Sequence, residues 1–278
     1  MKLVHHQYGK ARVRVTKVAR EGSKHSLKEL ELAVSLQGDF DASYTKADNR
    51  LVIATDSMKN TINVLAKQKL ADDSEEFGLA LGEHFLKTYP QVTCAEIAIS
   101  EKCWERMSAN GKPHPHAFQL NGAIRRVSKI AYSRKEHSVE SGVEGLNILK
   151  TTQSGFENFV RDRFTTLPET RDRILATELR AIWTYEKTPK SYSATNGKIL
   201  HAMLRVFAND YSPSAQATLF QMGEAALKAA REISKIKIAM PNKHCLLINL
   251  APFGLENKNE LFVPLDEPHG QIEGTVGR

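Results

Sequence analysis

Cysteine is scarce in this sequence. Cys94, Cys103 and Cys245 form an odd set with no close pair, which argues against a disulfide framework or a zinc motif and fits a reducing compartment. Glycine (16) and proline (10) are too few among 278 residues for a collagen-like or low-complexity chain. Long apolar runs are missing too. The longest, such as CLLINL from Cys245, fall far below a membrane span, and the opening MKLVHHQYGKARVRV has no apolar secretion-signal stretch. No G-x-G-x-x-G, P-loop, G-x-S-x-G or C-x-x-C pattern occurs, so nucleotide, serine-hydrolase and thiol-redox chemistry lose support.

What is present is an ordinary globular composition, 41% hydrophobic and 26% charged. A chain of this length buries roughly 75% of its extended surface, enough for one large or two medium domains. Lys and Arg number 39 against 32 Asp and Glu, a formal charge of +7. Nucleic acid, an acidic surface and a small anion all suit that charge. The basic residues are dispersed among acids with no interleaved aromatic repeat, which disfavours a nucleic-acid surface.

Hydrophobic spacing gives the organisation. ARVRVTKV (from Ala11) and LKELELAVSLQG (from Leu27) alternate as two half-buried antiparallel strands joined by a turn at Arg-Glu-Gly-Ser. LVIAT then reads as a short strand, with Asp56 or Ser57 capping a helix over MKNTINVLAKQK. A second helix runs from Ser74 to Thr88, stopping before Pro90, and QVTCAEIAISEKCWERM and HAFQLNGAIRRVSKIAYS form two more strands. The second half repeats the order: VEGLNILKTTQ and TELRAIWTYEK as strands, GKILHAMLRVFAND and SAQATLFQMGEAALKAAREIS as helices, ISKIKIAM and HCLLINLA as strands, then a tail from Pro252. Two such copies, divided near SRKEHSVESG into 1–137 and 138–278, predict an α+β chain of two tandem four-stranded antiparallel sheets, each with two helices on one face. Unpaired sheet edges predict closure into a barrel across subunits.

Several residues have chemical potential, each with a plainer reading beside it. Lys10, after Tyr8 and Gly9, is a proton acceptor if desolvated and otherwise a solvated charge. Thr55 and Asp56 stand where a strand meets a helix start, fit either for an anion or for a cap. Among Arg161, Arg163, Arg171 and Arg173, most suit surface ion pairs, but one inward guanidinium would clamp a planar anion with Phe156 or Phe159 stacked nearby. Gln216 in SAQAT has an amide that matches a heterocycle edge. Asn242 and His244 in PNKH are placed between strands, with His244 able to shuttle protons. KPHPH (Lys112–His116) looks like a metal motif, yet no third ligand stands at a recognised spacing.

Taken in order, YGK, SYTKADN, ATDSMKNTI, GKPHPH, RDRFTTLPET, SAQAT, PNKH and terminal GTVGR resemble the urate oxidase (uricase) family over nearly the whole chain. The resemblance implies the tunnelling fold (T-fold), two tandem domains per subunit, and a homotetramer enclosing a tunnel. It also implies oxidation of urate by O₂ and water to 5-hydroxyisourate and hydrogen peroxide, without metal or organic cofactor. Lys10, Thr55 and His244 match the family's proton relay. Arg173 matches a bidentate clamp on urate, Gln216 with the Ala215 backbone N–H the opposite edge, Phe156 the stacking ring, Asn242 with Thr55 the site above the ring, and Asp56 a backbone N–H donor. The family draws Lys10, Thr55 and Asp56 from one subunit and the remaining residues from its neighbour.

Cys245 after PNKH stands where an aromatic is common, Ala215 where a larger aliphatic is frequent, and no peroxisomal Ser-Lys-Leu closes the chain. The last departure points to a cytoplasmic, bacterial protein, and the short apolar runs to one with no membrane partner. The alternatives are a zinc-dependent cyclohydrolase or aldolase relative of the same fold, for which the Cys and His ligands cannot be assembled, and a non-catalytic T-fold protein binding a purine- or pterin-like heterocycle.

Overall fold

The computed structural model describes residues Met1–Arg278, which fall into two compact units: Met1–Gly142 with Thr184–Asn196, and Val143–Trp183 with Gly197–Arg278. The first unit contains β1 (Tyr8–Glu21), β2 (Lys24–Gly38), a short α1 (Asp41–Thr45), α2 (Thr55–Lys69), α3 (Ser74–Thr88), β3 (Val92–Ala109) and β4 (Lys112–Ser133). Its strands pair antiparallel in chain order, β1-β2-β3-β4. The turn between β1 and β2 uses Gly22 at φ +59°, a left-handed conformation that costs glycine little. Alternation places Leu30, Leu32, Val34 and Leu36 of β2 on the buried face, each at most 2% exposed. On the helical layer Met58, Ile62, Phe77, Leu81 and Phe85 are fully buried, with α2 packed on β1 and α3 on β3 and β4. Each such side chain contributes about 1.5–3 kcal/mol of transfer free energy.

Two expectations fail here. LVIAT forms no strand: among Leu51–Ala54 only Ile53 is buried, and its backbone is satisfied by the Tyr8 side chain rather than by a ladder. Neither Asp56 nor Ser57 caps α2, which begins at Thr55 with Ala54 at the cap position and no side-chain cap. The KPHPH run lies inside β4, at its start.

The second unit holds most of β5 (His137–Lys150) and β6 (Leu175–Tyr185), then α4 (Tyr192–Asn209, its first turn counted with the first unit), α5 (Ala215–Ala229), β7 (Ile233–Ala239), β8 (Asn242–Leu247), β9 (Phe262–Gly270) and β10 (Glu273–Gly277). The sheet order is β5-β6-β7-β10, and neither unit's sheet closes on itself. HCLLINLA is therefore not the fourth strand. Pro241 ends the β7 path without an N–H to donate, and β8 touches β6 only through Ala176–Lys243 and Thr177–Asn242 before pairing with β9.

The fourth position goes to β10, in the segment read as tail. Its seam against α5 is tight: a Cβ at Gly223 would lie 2.5 Å from Val276, and one at Gly274 would lie 2.9 Å from Leu219. Arg278 then donates from Nε to the Ile233 carbonyl (3.1 Å) and from one terminal nitrogen to the carbonyls of both Ala230 and Leu227. A cation on the last carbonyls of α5 also complements the helix dipole.

Candidate active site

Of the nine residues singled out, three belong to the first unit. Lys10 pairs with Val34 in the β1–β2 ladder, and immediately beyond it the register slips, with Arg12 at φ +57°. Such a bulge re-aims the side chains beside it. Gly9 permits the approach, since a Cβ there would sit 1.8 Å from the Val34 carbonyl oxygen. Thr55 is the first residue of α2, and with no capping side chain the first N–H groups of this helix have no intrachain acceptor. Asp56 spends its carboxylate along the helix, accepting from Lys59 at 2.5 Å and Asn60 at 2.9 Å. The Lys59 bond holds this carboxyl below the usual carboxylate range, and the positive charge of Lys10 adds to the effect.

The other six belong to the second unit. Phe156 and Thr170 exchange backbone hydrogen bonds at 2.7 and 3.1 Å, and the Arg173 N–H donates to the Ser154 carbonyl at 2.8 Å. These bonds fold the irregular stretch between β5 and β6 back on itself. Gly155 is required at the crossing, because a Cβ would meet the Tyr211 hydroxyl at 2.3 Å and the Thr170 carbonyl oxygen at 2.9 Å. The result places the Arg173 guanidinium 5.7 Å from the Phe156 ring centre, while Phe159 stacks on Phe156 at 4.8 Å and 9°.

Among the four arginines of this stretch, Arg173 is the inward one. Arg161, Arg163 and Arg171 are exposed, and Arg171 pairs with Glu157 at 2.9 Å. Arg173 has no carboxylate partner, its Nε is buried without a hydrogen bond, and burial pushes its pKa below the usual guanidinium value. Ser154 Oγ and Thr177 Oγ1 are orphaned as well, so three of the five unpartnered buried side-chain atoms fall on this site. Buried polar groups are nearly always paired, and an unpaired buried cation is costly. The cluster has the signature of a planar anion site.

Ser214 caps α5 by accepting from the Ala217 N–H at 3.1 Å, leaving Ala215 buried and Gln216 exposed at the first two helical positions. Asn242 and His244 are not in a turn, as their spacing had suggested. They sit two apart on β8, across a register shift in its pairing with β9, with Asn242 opposite Thr177 and Gly270 and His244 opposite Leu265. The histidines of KPHPH lie apart from these residues: His114 and His116 rings are 4.6 Å apart, His114 Nδ1 accepts from the Ala117 N–H at 3.0 Å, and the His116 ring is 5.8 Å from that of His25 on β2. No group of three His, Cys, Asp or Glu side chains converges as a metal site.

Reading the residues alone passed over Thr177 and Ser154, whose only signal is polarity at inward positions, and gave Tyr8 no role of its own. Comparison with known proteins fits this geometry. The family model described as Uricase matches residues 6–131 and 139–273. The uricase of Arthrobacter globiformis is 40% identical across 98% of this chain and 88% of its own length. That of Arabidopsis thaliana is 41% identical across 98% and 94%. The crystal structure of the Arthrobacter globiformis uricase superimposes with a TM-score of 0.94 at 40% identity, covering 100% of this chain and 96% of that one.

Proposed function

The chain belongs to the uricase family, and from that premise we propose that it is a factor-independent urate hydroxylase, converting urate, O₂ and H₂O to 5-hydroxyisourate and H₂O₂. The observation that carries the reading is Arg173, a half-buried guanidinium with a buried, unpartnered Nε and no counter-ion, beside an aromatic ring. Urate is a planar anion of matching shape. Arg173 clamps its anionic edge bidentately, Gln216 and the Ala215 N–H hold the opposite edge, and Phe156 stacks on the purine face. Asn242 and Thr55 hold O₂ or water above the ring, and Asp56 contributes its backbone N–H.

Chemically, the substrate supplies the electrons. A deprotonated purine trione passes one electron to O₂, recombination of the radical pair gives a peroxide, and water displaces it at the ring carbon as H₂O₂ leaves. The protein's share is proton removal, positioning and charge stabilisation, without cofactor or metal. Lys10, Thr55 and His244 relay the protons.

We assign the chain two T-fold domains, 1–137 and 138–278, and a homotetramer whose active sites join Lys10, Thr55 and Asp56 of one subunit to the second set from its neighbour. Two features favour assembly. β1 is a 14-residue edge strand, and Leu246, Leu247, Leu261 and Val263 on or beside the β8–β9 arm are 43–53% exposed. No helix is long and apolar enough to cross a membrane. The three free cysteines suit a reducing compartment, and we propose the cytoplasm.

The test is chelator-treated protein mixed with urate in air, following urate absorbance, O₂ uptake and peroxide release together. Matched loss of urate and O₂ with peroxide appearing supports the reading. No turnover by a verified oligomer that still binds urate overturns it. Dilution to monomers, followed by light scattering, abolishes activity if sites are shared between subunits.

A further inference from the structure

We infer that Tyr8 is a positioning residue for the reaction, its hydroxyl holding the start of α2 in place beside Lys10. The Tyr8 oxygen accepts the Ile53 N–H at 2.8 Å and faces the Ile53 carbonyl oxygen at 3.3 Å as donor. One side chain thus replaces both ladder bonds that the non-strand segment before α2 lacks. Ile53 is 5% exposed, so without this hydroxyl two backbone polar groups there lose their partner away from water. The Tyr8 ring is itself fixed, edge-on to Phe40 at 4.8 Å and 84°.

Tyr8 stands two residues before Lys10, and Ile53 two residues before Thr55. A single contact therefore couples the two segments that carry the first-unit site residues. On either side of Lys10, the close approach at Gly9 and the bulge at Arg12 fix β1 against β2. No side chain caps the start of α2, and the other side-chain bond to the segment before it, from Gln91 Nε2 to the Leu51 carbonyl at 2.8 Å, lies two residues upstream of Ile53. Small displacements of catalytic groups cost rate steeply, so the Tyr8 hydroxyl acts on turnover through Thr55. This inference rests on the reading that Thr55 serves the reaction.

Tyr8→Phe keeps the ring on Phe40 and removes only the hydroxyl. Expected is a fall in kcat on the order of 10-fold to 100-fold with KM for urate changed less than about twofold, since the clamp at Arg173 is untouched. In a Thr55→Ala background, Tyr8→Phe adds no further loss, whereas an independent structural effect would multiply through both backgrounds. Tyr44→Phe is the control for general loosening, as it deletes the neighbouring Tyr44–Gln7 bond (3.2 Å) without touching Ile53. It leaves kcat unchanged. Thermal midpoints and circular dichroism of each variant verify the fold. A native-like Tyr8→Phe with unchanged kcat, while Thr55→Ala is impaired, overturns this inference alone. Unchanged turnover in Thr55→Ala overturns the assignment of Thr55 and this inference with it. If Tyr8→Phe is unfolded at the assay temperature, the contact is structural first and the inference fails.

Discussion

Helices α3 and α5 are the same device used twice. Both are 15 residues long, and their buried positions coincide: Ser74 with Ala215, Phe77 with Thr218, Gly78 with Leu219, Leu81 with Met222, Gly82 with Gly223, Phe85 with Ala226 and Leu86 with Leu227. The second helical residue breaks the match. Glu75 is 4% exposed and accepts from Ser128 (3.0 Å), Ser141 (2.6 Å) and Asn196 (2.9 Å), whereas Gln216 is exposed. The residues before them diverge likewise. Asp73 accepts the N–H groups of Tyr192 and Ser193 at 2.9 and 2.7 Å, while Ser214 caps its own helix. In the first unit the polar helix start is saturated by the chain's own groups, from the segment Thr184–Asn196 and from Ser128 and Ser141. In the second it is left open. One scaffold position is thus a structural anchor in one copy and an exposed amide in the other, which the proposed function uses to bind substrate.

The contrast breaks most sharply at the open site. Arg173→Met is expected to weaken urate binding on the order of 10²- to 10³-fold, about 3–4 kcal/mol for two charge-assisted bonds, measured by titration under nitrogen. Its thermal midpoint stays level or rises, because an unpaired buried cation is removed; a clear fall would show that Arg173 has a structural partner. At the closed site the sign reverses. Glu75→Ala loses about 3 kcal/mol in urea unfolding by stranding three donors, while the matched Gln216→Ala shifts stability by less than about 0.5 kcal/mol and raises KM for urate.

Asn196→Ala removes one of those donors and is expected to cost about 1 kcal/mol by the same measurement. The smallest effect concerns His84 on α3, where the matched residue is Ala225. Burial lowers the His84 pKa below its ordinary value. The unfolded chain therefore binds this proton more readily, so stability falls as pH drops through about 6.5 and towards the lower folded value. Urea midpoints at pH 5.5 and 7.5 differ less in His84→Gln than in the parent protein if this is right.

The regular parts of the fold were legible because local pattern and tertiary packing agree. β2 alternates, α3 stops before Pro90, and both occur as read. The failures lie where long-range bonds override local pattern. LVIAT has strand-like residues, but a distant tyrosine hydroxyl supplies the hydrogen bonds a strand would need. HCLLINLA does form a strand in part, yet its neighbour is decided by the fit of Gly223 and Gly274, which lets β10 take the ladder. At the site, residue types signalled what chemistry was available, not which copy was used. Four arginines crowd one stretch, and only the folded loop shows that Arg173 is turned inward while the others meet solvent or Glu157.

The place of β10 has a consequence for the order of events during synthesis. The strand that completes the second sheet is translated after β8, β9 and their connections, although it pairs with β7. At roughly 5–20 residues per second, the growing chain spends seconds with the β7 edge bare and the glycine groove of α5 unfilled. The nascent second unit is therefore most vulnerable to mispairing in that interval, and Arg278, made after β10, adds its grip on α5 only once that strand has emerged.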